Sequence, residues 1–255
     1  MKESSSLAQD NDIKGNKQCY SLFYPSGGPT GGRPKKVKGE TMANLQASMI
    51  KELKGKFKGE ILLPGNGEYG SARKIWNAMI DRHPAVIARC TSTSDVVSGV
   101  IFARNNGMLL AVRGGGHNIA GNAMCDDGIV IDLSHMKTAS VDPETRRVTI
   151  EGGATLADLD AATQAHGLAT PTGINSTTGI AGLTLGGGFG WLSRKLGMTV
   201  DNFESAEVVT AAGAVVSASA TEHPDLFWAL RGGGGNFGVV TPASSSDSTL
   251  SDPTC

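Results

Sequence analysis

Apolar positions recur with a helical period over residues 45–57, and the "EILLP" that follows reads as a short extended segment. The period returns over 72–82 and 94–105, the second closed by Gly107, and the runs "AVIARC" and "MLLAV" flank that second helix as strands. Strand, helix and strand in that order make a β-α-β unit. Beyond it, "GIVIDL" is a buried strand, while "SVDPETRRVTIEGG" and "ESAEVVTAAGAVVSAS" alternate about turns as hairpins. Two further helices carry end signals. Residues 155–166 open on Thr155 with Asp158 three positions on, a capping-box spacing, and "HPDLFWALR" has Pro224 where a first helical turn accepts it. Short strands and helices so mixed predict an α+β fold. Residues 1–41 and 242–255 are polar, rich in Ser, Gly, Pro or Asp, and without period, and are expected to be a disordered leader and a disordered tail.

Composition narrows the function only by exclusion. At 255 residues and 39% hydrophobic the chain can bury a substantial core, and a formal net charge of -1 gives no broad field for nucleic acid or an anionic membrane. No apolar run reaches the roughly 20 residues that span a bilayer, so a cytoplasmic location is the expectation. Cys19, Cys90, Cys125 and Cys255 lie far apart, which suits free thiols and neither a metal site nor a disulfide framework.

Glycine changes the picture. Most of the 35 glycines follow Gly107, with dense clusters at 114–116, 186–190 and 232–235. Glycine gives up more backbone freedom on folding than other residues, so three clusters in one domain point to loops that converge on one extended ligand. Consecutive backbone N–H groups form nests for anionic oxygens, and a cofactor with a pyrophosphate fits them. Gly65, Gly67 and Gly70 match G-x-G-x-x-G between a short strand and a helix. Glu68 sits inside that loop, however, and the next strand ends "ARC" with no acidic residue for a ribose, so the match reads as a turn and not a nicotinamide site. Gly233, Gly235 and Gly238 repeat the pattern from helix into strand, the wrong direction.

Taken together, "VRGGGHNIAGN", "TPTGINSTTGIAGLTLGGGFGWLSRKLGMTVDN" and "HPDLFWALRGGGGNFGVVT" resemble, in order and spacing, the PCMH-type FAD-binding domain of the vanillyl-alcohol oxidase and berberine bridge enzyme class. The resemblance covers about residues 60–241, and its wording is most similar to microbial oxidases of the 6-hydroxynicotine oxidase type. It implies a two-subdomain fold of mixed short sheets flanked by helices. It also implies that Arg113, Gly114, Gly115, Gly116, His117, Asn118 and Gly121 wrap the FAD pyrophosphate. Thr172, Gly173, Ser176, Thr177, Gly179, Gly182, Leu183, Gly186, Gly187, Gly188 and Gly190 would run along the phosphates and the flavin ring, with Gly238 and Val239 from the third motif.

By the same resemblance His117 is bonded to the flavin 8α methyl, and the bond is single, because Asn175 stands where doubly linked relatives carry a cysteine. Leu183 replaces a histidine that some relatives place near a flavin carbonyl. The implied reaction takes a hydride from an alcohol, amine or sugar carbon to FAD, with dioxygen as acceptor. In the family the third motif continues into a substrate domain, whereas here a Ser/Asp tail follows Thr241. The substrate domain is therefore expected to be absent. No catalytic base is named, turnover by this chain alone is expected to be poor, and its uncovered face is expected to drive oligomerisation or aggregation. The competing reading is a non-catalytic FAD-binding fragment.

Overall fold

The computed structural model describes residues 39–246 and 248–249. The first elements are α1 (Gly39–Lys56), β1 (Glu60–Leu62), α2 (Tyr69–Ala72), β2 (Val86–Arg89), α3 (Thr93–Asn105), β3 (Leu110–Arg113) and β4 (Ile129–Asp132). α1 begins inside the expected leader, whose residues 1–38 lie outside the described residues. The strands form a sheet in the order β1-β2-β4-β3, with β2, β4 and β3 parallel and β1 antiparallel at the edge. The β-α-β unit is present, but β4 is inserted between its two strands. Successive strand residues point to opposite faces, and both faces here are covered, which is why these strands read as continuous apolar runs. Val86, Ala88, Ile129 and Ile131 pack with Leu53 and Phe57 of the α1 region and with Val96 and Val100 of α3, while Ile87, Val130 and Ala111 pack with Leu62, Tyr69 and Met124.

The chain continues through β5 (Ala139–Asp142), β6 (Arg147–Glu151), α4 (Leu156–Gln164), β7 (Leu168–Ala169), α5 (Ile180–Leu185), α6 (Ser193–Leu196), β8 (Phe203–Val209), β9 (Val215–Ser219), α7 (Pro224–Gly233), β10 (Val239–Ser246) and β11 (Ser248–Thr249). A second sheet, antiparallel throughout, has the order β5-β6-β10-β8-β9. Leu185, Phe227 and Leu230 of α5 and α7 bury Phe203, Ala206, Val208 and Val240. Leu156, Leu159 and Ile180 cover Val148 and Ile150. The capping box at Thr155 is formed: Asp158 Oδ2 accepts from the Thr155 amide at 2.9 Å, and Thr155 Oγ1 accepts from the Asp158 amide at 3.4 Å. Among the described residues no helix is long and apolar enough to cross a membrane.

Two expectations are corrected. Residues 73–82 are not helical. Asn77 turns the chain there, its Oδ1 accepting from the Met79 amide at 3.1 Å, and the Trp76 amide donates across to Gly116 at 3.1 Å instead of continuing a helix. Nor is the tail irregular from 242. β10 runs to Ser246 as the central strand of the second sheet, its residues 242–246 paired with 151–147 of β6. Two neighbouring strands supply the hydrogen bonds that stabilise this polar segment, and Pro242 falls where the register with β8 shifts, a position that tolerates a missing N–H. Residues 247 and 250–255 of the expected tail lie outside the described residues.

Candidate functional site

Ligands of parallel sheets collect beyond the carboxyl ends of the strands. β2, β4 and β3 end side by side in Arg89, Asp132 and Arg113. Asp132 is fully buried, with Arg89 Nε at 3.8 Å and Arg113 Nη1 at 3.7 Å from its Oδ2, and its Oδ1 accepts from the Ser134 amide at 3.0 Å. A buried carboxylate is stabilised by opposite charge on both sides. Arg113 Nη1 also donates to the Ala72 carbonyl, so its side chain is turned back into the protein, bracing the start of the glycine loop.

From there the loop 114–121 runs against the second half of the chain. A side-chain carbon on Gly115 would overlap the backbone of Thr178 and Gly179, and one on Gly179 would overlap that of Gly115. Glycine is required on both sides of this backbone-to-backbone contact. Gly116 has φ +72° and lies over Ile75, Gly121 lies over Ile80, and Gly114 faces the Gly152 carbonyl. Among the described residues no hydrogen bond occupies the N–H groups of Gly114, Gly115, Gly116 or His117. Asn118 is committed to a local turn, its Oδ1 accepting from the Asn122 amide at 3.0 Å.

His117 is half-buried. Its ring stacks on Trp76, centroids 5.4 Å apart at 25°, and Nε2 lies 2.9 Å from Thr177 Oγ1. Desolvation by these neighbours holds the imidazole below its ordinary pKa, which favours the neutral ring at pH 7. The 172–190 segment is therefore joined to the first loop at two points, Gly179 on Gly115 and Thr177 on His117. Within that segment Gly190 crosses the Thr172 carbonyl, Leu183 packs on Gly173 and Gly188, and the Gly187 and Gly188 carbonyls accept from Val200 and Thr199 at 2.9 Å each. The Ser176 carbonyl anchors the start of α4 through the Ala157 amide at 2.9 Å. Gly182 and Gly186 are exposed, and no atom lies within 4 Å of a carbon added at Gly182. Gly238 and Val239 stand apart. Gly238 packs against Val208 and Val209, and the Val239 side chain is buried in the first core.

Sequence reasoning missed the segment that closes over the first loop. Trp76 stacks on His117, Asn77 Nδ2 donates to the Ile119 carbonyl at 2.8 Å, and Arg82 Nη1 donates to the Gly121 carbonyl at 3.1 Å. A helical reading of 72–82 hid these contacts; the Trp-Asn pair was the available signal. Of the other candidates, Glu68 of the G-x-G-x-x-G string pairs with Arg89 at 2.6 Å, and the strand before it is an antiparallel edge strand. Cys125 is buried and its thiol is pushed up to about 11, chiefly by desolvation, so it is protonated at neutral pH.

Known proteins share this architecture. The chain is 42% identical over 185 residues to an (R)-6-hydroxynicotine oxidase of Paenarthrobacter nicotinovorans, covering 72% of this chain and 40% of the relative. The crystal structure of a 6-hydroxy-D-nicotine oxidase from Arthrobacter nicotinovorans superposes with a TM-score of 0.75 at 40% identity, over 76% of this chain and 43% of that one. A carbohydrate oxidase from Microdochium nivale gives a TM-score of 0.74 at 30% identity, over 78% and 43%. The chain thus spans about two fifths of the length of these relatives. A family model described as "FAD binding domain" matches residues 84–219, and by that match the chain belongs to the FAD-binding domain family.

Proposed function

We propose that this chain holds FAD for a flavin-dependent oxidase that takes a hydride from an alcohol, amine or sugar carbon and passes the electrons to dioxygen. The observation that carries this reading is the contact of Gly115 with Gly179, which brings the two glycine segments together while, among the described residues, no hydrogen bond occupies the N–H groups of 114–117. Unpaired amides in a row, next to the end of a parallel sheet, suit a pyrophosphate. Gly114, Gly115, Gly116 and the His117 amide would cradle it. The segment from Thr172 to Gly190 would flank the remainder, with Gly182 and Gly186 offering bare backbone toward the ligand. Bound FAD supplies the two-electron acceptor for the hydride. The residues of this chain position it and exclude water from one side.

His117 would tether the cofactor, its neutral imidazole supplying the nucleophile toward the flavin 8α methyl group. Asn175 offers no thiolate and Cys125 is protonated and buried, so the link is single. Purified protein precipitated with acid tests this reading: the flavin is expected in the pellet for the native chain and in the supernatant for His117→Ala. Complete release from the native chain would contradict the tether.

A further inference from the structure

The hydrogen bonds around His117 define more than its position. Asn175 Oδ1 accepts from the Thr177 amide at 3.1 Å, which fixes the orientation of the Asn175 side-chain amide, since the reverse would set its NH2 against a backbone donor. The same Oδ1 accepts from the Thr177 hydroxyl at 2.8 Å. A threonine has one hydroxyl hydrogen, and here it is spent on Asn175. Toward His117, whose Nε2 is 2.9 Å away, Thr177 Oγ1 can only accept. Among the described residues Nδ1 has no hydrogen-bond partner, and Trp76 covers the ring face.

We propose that Asn175 and Thr177 are positioning residues that fix His117 in the Nε2–H tautomer and leave the Nδ1 lone pair as the nucleophile. In a neutral imidazole the nitrogen that donates cannot attack, so the partner of one nitrogen selects the other. On the reading that His117 tethers FAD, the new bond forms from Nδ1 to the 8α carbon, one methyl C–H breaks, the Nε2 proton leaves, and two electrons and two protons reduce dioxygen to hydrogen peroxide. Nε2 is then a bare acceptor. The Thr177 hydroxyl must swing from Asn175 to donate to it, so the pair serves both states of the ring.

The test uses the full chain with 15N-labelled histidine, prepared without flavin, and long-range proton–nitrogen correlation at neutral pH. The five histidines are few enough to resolve, and the signals lost in His117→Gln assign the residue. Expected are a pyridine-type Nδ1 and a pyrrole-type Nε2, retained in Thr177→Ser. In Thr177→Val and Asn175→Ala both nitrogens should move toward the average of two tautomers. A pyrrole-type Nδ1 in the native chain, or unchanged shifts in Thr177→Val, would overturn the proposal. A second arm loads FAD and locates the linked nitrogen in the isolated histidyl-flavin peptide, with Nδ1 expected and Nε2 contradicting. If no flavin becomes attached, the tether fails while the tautomer is still decided by the first arm.

Discussion

At the residue scale, the site depends on which glycines are needed by the protein and which only by a ligand. Gly115 and Gly179 are needed by each other, but Gly182 has open space where a side-chain carbon would stand. Alanine is the better helix former by up to about 1 kcal/mol, so Gly182→Ala should leave the fold intact or slightly more stable while weakening FAD binding. Thermal unfolding and an FAD titration, measured on the same sample, check both halves; unchanged affinity would remove Gly182 from the site. His117 sets a pH dependence. Its folded-state pKa lies below the ordinary 6.5, so between those two values the unfolded chain binds more protons than the folded one. The contribution of the neutral ring to stability is fully present above 6.5 and is lost as pH falls toward the folded value. Flavin attachment should follow the same neutral fraction. A titration of the His117 ring protons should give a midpoint below 6.5, and a midpoint above it would contradict the desolvated setting.

At the scale of elements, what was legible in the sequence was whatever depended on neighbours in sequence. Thr155 and Asp158 announced their capping box, Gly107 the end of α3, and the DPET turn its hairpin, because each is closed by residues a few positions apart. Thr155→Ala should therefore cost about 1 kcal/mol, lowering the melting temperature by roughly 2–4 °C, without altering the spectrum of bound flavin. What could not be read depended on distant partners. The 73–82 segment has a helical apolar spacing, yet its amide and side-chain bonds go to the glycine loop some 40 positions on. Likewise residues 242–246 carry no apolar period, yet two flanking strands make them the middle of a sheet. Ser244→Pro removes a donor from that central strand and should unfold the second half of the chain, whereas a truly irregular tail would tolerate it; circular dichroism distinguishes the two. The glycine motifs, with Asn175 and Thr177 inside one of them, were legible as a site, but the stacking of Trp76 on His117, the burial of Asp132 between Arg89 and Arg113, and the bond of Thr177 to His117 were not, since each joins residues far apart in the chain.

At the scale of the molecule, a mixed sheet and an antiparallel sheet share a core through Val209 and Val239, and the glycine contact lies beside the site. Phe189, Trp191 and Trp228 are 75%, 86% and 79% exposed, and a net charge of -1 offers little repulsion between copies. Concentration-dependent self-association should appear in sedimentation velocity and diminish in Trp191→Lys/Trp228→Lys; a native chain that stays monomeric throughout would contradict this. If the two glycine segments together make an FAD site, the flavin-to-protein ratio after reconstitution of the full chain with FAD reports it. One flavin per native chain is expected, with Gly115→Ala, which forces the segments apart, binding at least about tenfold more weakly, equivalent to roughly 1.4 kcal/mol. A native chain that retains no flavin, or a folded Gly115→Ala chain that retains it equally well, would contradict it.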